Sequence, residues 1–411
     1  MGNKKMLTNK PNIQDANRSG SNQIGVKQFN ERLILDIISK GGQLSKAEIT
    51  RITGLSAQTV TTIVNRLIKE GLVRKGEIVK GKIGQPSTLI ELDNNGANAI
   101  GIKIGRRSAD ILLVGLAAKI AKKQSLQYDY PNVTKLFNWI GSTVSNLING
   151  LPKSQRTKFI GIGIAAPFEL DGWEGVVKAP KGEMSRWQNI DIVSKIENLT
   201  KQKTLLLNDA TAACLAELTI AGQQQNPSFL YFYVGTFLGG GIVLDGKIYD
   251  GLTGNAGSVG SMPTSLATGV KPAQMVNAAA INELENLCVM AGLPGDIFGN
   301  EDALSEKAKA IYDDWSSRAA NALAYAIISG QSFFDLNEVI IDGSIRRDLL
   351  NILIDKTEKS FKFYDTQGLK LPLLRAGNLG NEARAIGGSL LPLQKQFGLD
   401  QSLILKSSLD P

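Results

Sequence analysis

Between residues 44 and 92 the apolar positions recur first at helical and then at strand spacing. In "LSKAEI" the hydroxyl of Ser45 stands three residues before Glu48, the arrangement of a capping box, and Leu44 and Ile49 bracket it as a hydrophobic staple. A helix is therefore predicted to start at Ser45 and to be stopped by Gly54. Ser56 can cap a second helix, whose Val60, Ile63, Val64, Leu67 and Ile68 follow the i, i+3, i+4, i+7, i+8 rule and form one core-facing stripe. Two β-prone stretches, near 72–79 and 88–92, flank a Gly- and Lys-rich turn at Gly81–Pro86 and predict a hairpin. Helix, helix and hairpin make a winged helix-turn-helix over residues 28–92. A polar segment, 1–27, expected to be flexible, precedes it, and a polar linker, 93–98, follows.

From residue 99 the pattern changes to short β stretches alternating with helical ones, an α/β arrangement with glycines at the turns. The first of these, "AIGIKIGRRSADILLVGL" at 99–116, reads as two apolar strands around a turn crowded with Lys103, Arg106 and Arg107.

The face of the second helix opposite its apolar stripe carries Gln58, Thr59, Thr62, Arg66 and Lys69, with Thr61 and Asn65 at its margins and Ser56 at its start. Short polar side chains early in such a helix suit base edges in a major groove, and Arg or Lys further along suits phosphates. A solvated helix face is the plainer reading of the same residues. The wing decides against it, because Lys82 and Gln85 at its turn can reach a backbone or a minor groove.

Charge points the same way. The net charge is +8, and residues 1–95 hold 15 Lys and Arg against 8 Asp and Glu, whereas the rest of the chain holds 31 against 30. The excess thus belongs to the first quarter and points to a polyanion partner, usually nucleic acid; together with the two helices and the wing it points to double-stranded DNA. The chain has no histidine, which excludes Ser-His-Asp catalysis and imidazole ligands, and its two cysteines, Cys214 and Cys288, cannot build a disulfide framework or a four-thiolate zinc site. No apolar stretch approaches the roughly 18 residues that cross a bilayer, so a cytoplasmic location and no membrane partner are expected.

Four glycine-marked stretches stand in a telling order, "GIGIAAP" at 161–167, "GTFLGGGIVLDGKIYDG" at 235–251, "GNAGSVGSM" at 254–262 and "GNLGNEARAIGGSLLPL" at 377–393, with "LLLNDATAACLAE" between the first two. With the winged helix in front, the chain resembles the ROK family (repressor, open reading frame, kinase), specifically its transcriptional repressors, over roughly residues 30–395. The resemblance implies two actin-like, ribonuclease H-like α/β lobes around a cleft, 99–220 with about 380–396 forming one and 221–379 the other. Sugar would bind between them and, in the kinases, ATP beside it.

Position by position the resemblance implies an eroded nucleotide side. Lys103 stands where family kinases carry an acidic residue, Arg106 and Arg107 stand where they carry Gly and Thr, Phe237 replaces a usual glycine, and Asp342 and Ser344 interrupt a glycine-filled stretch beside the adenosine. The turn at Arg106 is then either a residual phosphate clamp or, by the plainer reading, a basic surface turn without a ligand. Asn208 and Asp209 match the pair whose aspartate is the general base of the kinases, although Asp209 is equally suited to cap the helix that follows. Ser258 and Ser261 occupy the positions of a sugar-binding glutamate and histidine, and Lys181 lies near a sugar-binding asparagine. Trp187 falls on a recurring tryptophan and is read as packing rather than as a sugar platform. The family's structural zinc needs that histidine and a cysteine cluster after it, neither of which is present, so neither metal nor cofactor is expected.

The combined reading is a transcriptional regulator, a repressor of carbohydrate-related genes, acting as a homodimer or tetramer and controlled by a sugar or sugar derivative, without catalysis. Two other classes stay open at this point: a sugar kinase with an appended DNA-binding domain, and a constitutive DNA-binding protein whose cleft is vestigial.

Overall fold

The computed structural model describes residues 23–79, 86–173, 177, 179–220, 227–265, 267, 271–299 and 304–399. In chain order the elements are α1 (Gln23–Gly41), β1 (Leu44–Ser45), α2 (Lys46–Thr53), α3 (Ala57–Glu70), β2 (Val73–Val79), β3 (Ser87–Leu92), β4 (Asn98–Ile104), β5 (Ser108–Gly115), β6 (Ile120–Gln127), α4 (Val133–Asn149), α5 (Lys153–Arg156), β7 (Phe159–Ala165), α6 (Ile192–Thr200), β8 (Thr204–Leu207) and α7 (Asp209–Ile220). They continue with β9 (Phe229–Val234), β10 (Leu238–Leu244), β11 (Lys247–Tyr249), α8 (Val276–Ala279), α9 (Ile281–Met290), α10 (Glu306–Phe334), β12 (Glu338–Gly343), α11 (Arg347–Ser360), β13 (Leu373–Ala376) and α12 (Ala383–Phe397).

The predicted capping box is present: the Ser45 hydroxyl accepts from the Glu48 amide and the Glu48 carboxylate accepts from the Ser45 amide, so two otherwise orphan donors are satisfied. Gly54 and Gly71 end α2 and α3 at φ +68° and +71°, a left-handed conformation in which a side chain would be strained. Val60, Ile63, Val64 and Leu67 are buried against Ile34, Leu35 and Ile38 of α1 and Ile49 of α2, with Val73 and Ile90 of the hairpin closing the core. Helix α1 begins at Gln23, inside the segment expected to be flexible, because its Ile34, Leu35 and Ile38 are needed to complete that core.

The body has two five-stranded sheets, ordered β6-β5-β4-β7-β8 and β11-β10-β9-β12-β13. Strand β4 is buried on both faces: Ile100, Ile102 and Ile104 join a core with Leu136, Phe137 and Ile140 of α4 and Ile196 of α6, while Ala99 joins Leu215 of α7 and Leu390 of α12. In the second sheet, Phe232, Val339 and Ile341 face Trp315 and Leu323 of α10, and Tyr231, Tyr233 and Ile340 face Ala213 and Cys214 of α7. Helix α7 therefore lies between the sheets. It packs on α12 so closely that a Cβ at Gly387 would overlap the Ala212 carbonyl.

The stretch read as a linker is instead a packed turn. Asp93 donates its amide to the Leu72 carbonyl, Leu116 donates to Asn94, and Gly96, Ala97 and Asn98 are buried. Polar composition concealed this, because the turn is held by its backbone rather than by apolar side chains. Leu72, Leu92 and Phe397 pack against both the winged-helix core and the first body core, and the Arg32 guanidinium donates to the Gly398 carbonyl at 3.2 Å.

Candidate functional site

Two regions carry the residues singled out from the sequence. On α3, Gln58, Thr61, Thr62, Asn65 and Lys69 are exposed, and Gln58, Thr62, Asn65 and Lys69 fall on one stripe by their spacing. Ser56 caps the helix, its hydroxyl accepting from the Thr59 amide at 3.1 Å and lying 2.8 Å from the Thr59 hydroxyl. Asn65 accepts from the Lys46 ammonium at 3.0 Å, so the start of α2 braces the middle of α3. Arg66, expected to contact phosphate, has its guanidinium half-buried against the Glu31 carboxylate of α1, with Glu70 at 3.9 Å. One carboxylate of α1 and one of its own helix, a turn further on, flank it. Lys82 and Gln85 lie outside the described residues.

The second region is built around the β4–β5 turn. Lys103 is 5% exposed, its ammonium donating to the Ser108 carbonyl and hydroxyl at 3.1 and 2.6 Å and pairing with Asp110 at 3.3 Å. Burial pushes its pKa down to about 8, Arg384 adding to the effect and Asp110 opposing it. Arg106 lies over the Phe237 ring, 3.3 Å from its centroid, and burial lowers its pKa to about 9 while the Asp209 charge works against that fall. Arg107 makes a two-pronged pair with Glu285 of α9, at 2.8 and 2.7 Å. The Tyr128 hydroxyl backs the turn by donating to the Gly105 carbonyl at 2.6 Å. Lys103 is buried, Arg106 half-buried and Arg107 exposed, and the turn is pinned by residues from the β9–β10 turn and α9 rather than standing free as the plainer reading has it.

Asp209 is the first residue of α7, and the capping role falls to Asn208, whose side-chain oxygen accepts from the Ala210 amide at 3.1 Å. The Asp209 carboxylate instead pairs with Arg384 of α12 at 3.3 Å, with Arg384 lying 4.8 Å from the Tyr233 ring centroid. Burial alone would lower the Arg384 pKa, but Tyr233, Asp209 and Asp110 together outweigh it and raise it. The Asp209 carboxylate thus already holds a guanidinium partner.

The third altered stretch is equally filled. Asp342 is fully buried, accepting from the amides of Gly343 and Gly380 at 2.9 Å each, from the Leu379 amide at 3.3 Å and from Arg347 at 2.9 Å. Backbone amides converging on an anion are the arrangement that cradles phosphate elsewhere, and here a side-chain carboxylate sits in it. Residues at these positions do not fit a nucleotide, and residues 263–284 contain no cysteine or histidine to fit zinc.

Ser258 and Ser261 meet each other, hydroxyl to hydroxyl at 3.4 Å, on an exposed turn beside Gly240. Gly239 and Gly241 of the same strand face Ala210 and Cys214 of α7, so the serine turn lies on the opposite face of β10 from Asp209. Lys181 is exposed, and among the described residues no contact links it to Asn208, Asp209 or the serines. Trp187 is packing, as expected, its ring 5.7 Å from Phe137 and its Nε1 donating to the Pro131 carbonyl. Sequence reasoning passed over Arg384, Glu285 and Arg347. Arg384 lay within a glycine-marked stretch whose glycines drew attention, and nothing local marks Glu285 or Arg347.

The sequence matches the ROK family over residues 99–395 and the MarR family over residues 28–81. The chain belongs to the ROK family, with a MarR-type winged helix in front. Among proteins it is similar to are an uncharacterised protein of Sinorhizobium fredii, y4fQ, 24% identical over 90% of this chain and 92% of that one, and the xylose repressor of Bacillus subtilis, 28% identical over 59% of this chain. The match to the repressor spans 62% of that protein. A crystal structure of a ROK family transcriptional regulator, a homologue of the Escherichia coli MLC protein, shares the fold with a TM-score of 0.62 at 19% identity, covering 91% of this chain and 98% of the other.

Proposed function

We propose that the protein is a DNA-binding transcriptional regulator, a repressor of carbohydrate-related genes in the cytoplasm, that responds to a sugar or sugar derivative and has no kinase activity. The observation that carries this reading is α3, which buries Val60, Ile63, Val64 and Leu67 and leaves Gln58, Thr61, Thr62, Asn65 and Lys69 exposed at the head of a winged helix. In this reading Gln58, Thr59, Thr61 and Thr62 address base edges, and Ser56, Asn65, Lys69, Lys82 and Gln85 address the backbone or the minor groove. A two-fold dimer presents two such helices to half-sites about one or two helical turns apart.

The Lys103, Arg106 and Asp342 contacts support the absence of phosphoryl transfer, because each fills a position a nucleotide would need. The effector binds near Asn208 and Asp209, and it releases DNA only by favouring one arrangement of the body over another; Ser258, Ser261 and Lys181, which lie apart from that pair, belong to a separate surface. The test is titration of the protein onto its selected duplex with and without a panel of sugars, amino sugars, sugar acids and sugar phosphates. One class weakens DNA binding at least tenfold, and both Asn208→Ala and Asp209→Ala abolish that effect. Indifference to the whole panel would favour a constitutive DNA-binding protein, and ATP-dependent turnover of a hexose would restore the kinase reading.

A further inference from the structure

The near-neutral balance of the chain after residue 95 hides a strong segregation. Residues 111–168 contain seven Lys and Arg, at 119, 122, 123, 135, 153, 156 and 158, against a single acidic residue, Asp129. The fold gathers five of the seven at one end of the first sheet, next to the winged helix. Lys158 donates to the Asn95 carbonyl at 3.2 Å and lies against Gly71, the residue that ends α3, 3.1 Å from where a Cβ would stand. Arg156 donates to the carbonyls of Asn149 and Leu151 at the end of α4, and Gly150 of the same turn lies against Lys122, its Cβ position 3.7 Å from the ammonium. Lys119 sits in the turn whose neighbour Leu116 is bonded to Asn94, and Lys153 opens α5.

Lys119, Lys122, Lys153 and Arg156 are exposed, and among the described residues none of them forms an ion pair. The bordering carboxylates are engaged elsewhere: Asp93 accepts from the Asn95 amide, and Glu382 pairs with Lys123, on the other face of β6 from Lys122. Cations held at fixed spacing without partner carboxylates, continuous with the end of a DNA-reading helix, fit a second stretch of polyanion.

We infer that Lys119, Lys122, Lys153, Arg156 and Lys158 form an accessory phosphate-binding surface that engages DNA flanking the segment read by α3. The inference rests on the DNA-binding reading of the winged helix and extends its footprint beyond the α3 groove. Helix α3 is about 21 Å long at 1.5 Å per residue, so contacts beyond its C-terminal end fall outside the base pairs it reads.

The test uses the full chain and random-sequence duplexes of about 16 and about 40 base pairs, comparing the unsubstituted protein with Lys119→Gln/Lys122→Gln/Lys153→Gln across a salt series. The three lysines make no side-chain contact that the fold depends on, and an unchanged unfolding temperature verifies that the variant is intact. On the long duplex the variant binds on the order of tenfold more weakly, and its salt slope falls by about 0.9 for each phosphate it no longer neutralises. On the short duplex the two proteins bind alike. Equal affinity and slope on both lengths overturns the inference, and an equal loss on both overturns the flanking placement. Failure of the unsubstituted protein to bind either duplex would overturn the winged-helix reading itself, a different result from either.

Discussion

The guanidinium of Arg107 donates two hydrogen bonds, of 2.8 and 2.7 Å, to the carboxylate of Glu285, joining the turn after β4 to helix α9 of the other sheet's half of the body. Beside it Arg106 covers Phe237, so one turn carries both an ionic and an aromatic tie between the two halves. The turn after β4 acts as a clasp between the two halves.

Arg107 is nearly half exposed, so the pair is screened and its coupling is about 1 kcal/mol or less. A double-mutant cycle of Arg107→Ala and Glu285→Ala, read by chemical denaturation, should give that coupling, and the swap Arg107→Glu/Glu285→Arg should recover part of it. Strictly additive losses would contradict the clasp.

Arg384 and Asp209 are both largely buried, and removal of one partner leaves the other charge uncompensated. Arg384→Met is expected to cost about 2–4 kcal/mol, measured as a shift in urea midpoint at constant slope. A loss below about 0.5 kcal/mol would mean that water, not Arg384, neutralises Asp209.

Much of this was legible beforehand, and the boundary is instructive. The capping box at Ser45, the stripe of α3 and the two strands around residue 105 depend on residues within a few positions of each other, and local pattern fixes them. The partners of the cleft cations are 178 positions apart for Arg107 and Glu285 and 175 for Arg384 and Asp209. No periodicity reports such pairs. The Arg66 pair was hidden for a related reason: its position on α3 is polar by spacing, and only the packing of α1 brings Glu31 against it. The even charge balance after residue 95 likewise concealed a basic surface, because a sum over the chain carries no spatial information.

Lys103 sets a pH dependence. Its folded-state pKa is about 8, whereas an unfolded lysine titrates near 10.4, so between those values the unfolded chain binds a proton the folded one does not. Stability from this group is therefore lowest below about pH 8 and rises from there toward pH 10. The unfolding temperature of the wild type relative to Lys103→Met should climb across that window. A constant difference would show that Lys103 is not desolvated.

Asp342, satisfied by three backbone amides and Arg347, fills an amide cluster suited to an anion, and we propose that no nucleotide phosphate enters it. Magnesium ATP at millimolar concentration should therefore leave the unfolding temperature unchanged. Saturation to a hundred times a dissociation constant would add roughly 2.7 kcal/mol, so a clear upward shift would contradict the occupied cradle.

The most direct measurement is selection of duplexes from a random pool by the purified full chain, repeated with Gln58→Ala/Thr62→Ala. The wild type should enrich a two-fold-related sequence and bind it at least a thousandfold more tightly than random DNA, and the variant should relax the base preference while keeping its salt-dependent affinity. Enrichment of no sequence by the wild type, or the same sequence by both proteins, would contradict the assignment of α3 as the helix that reads DNA.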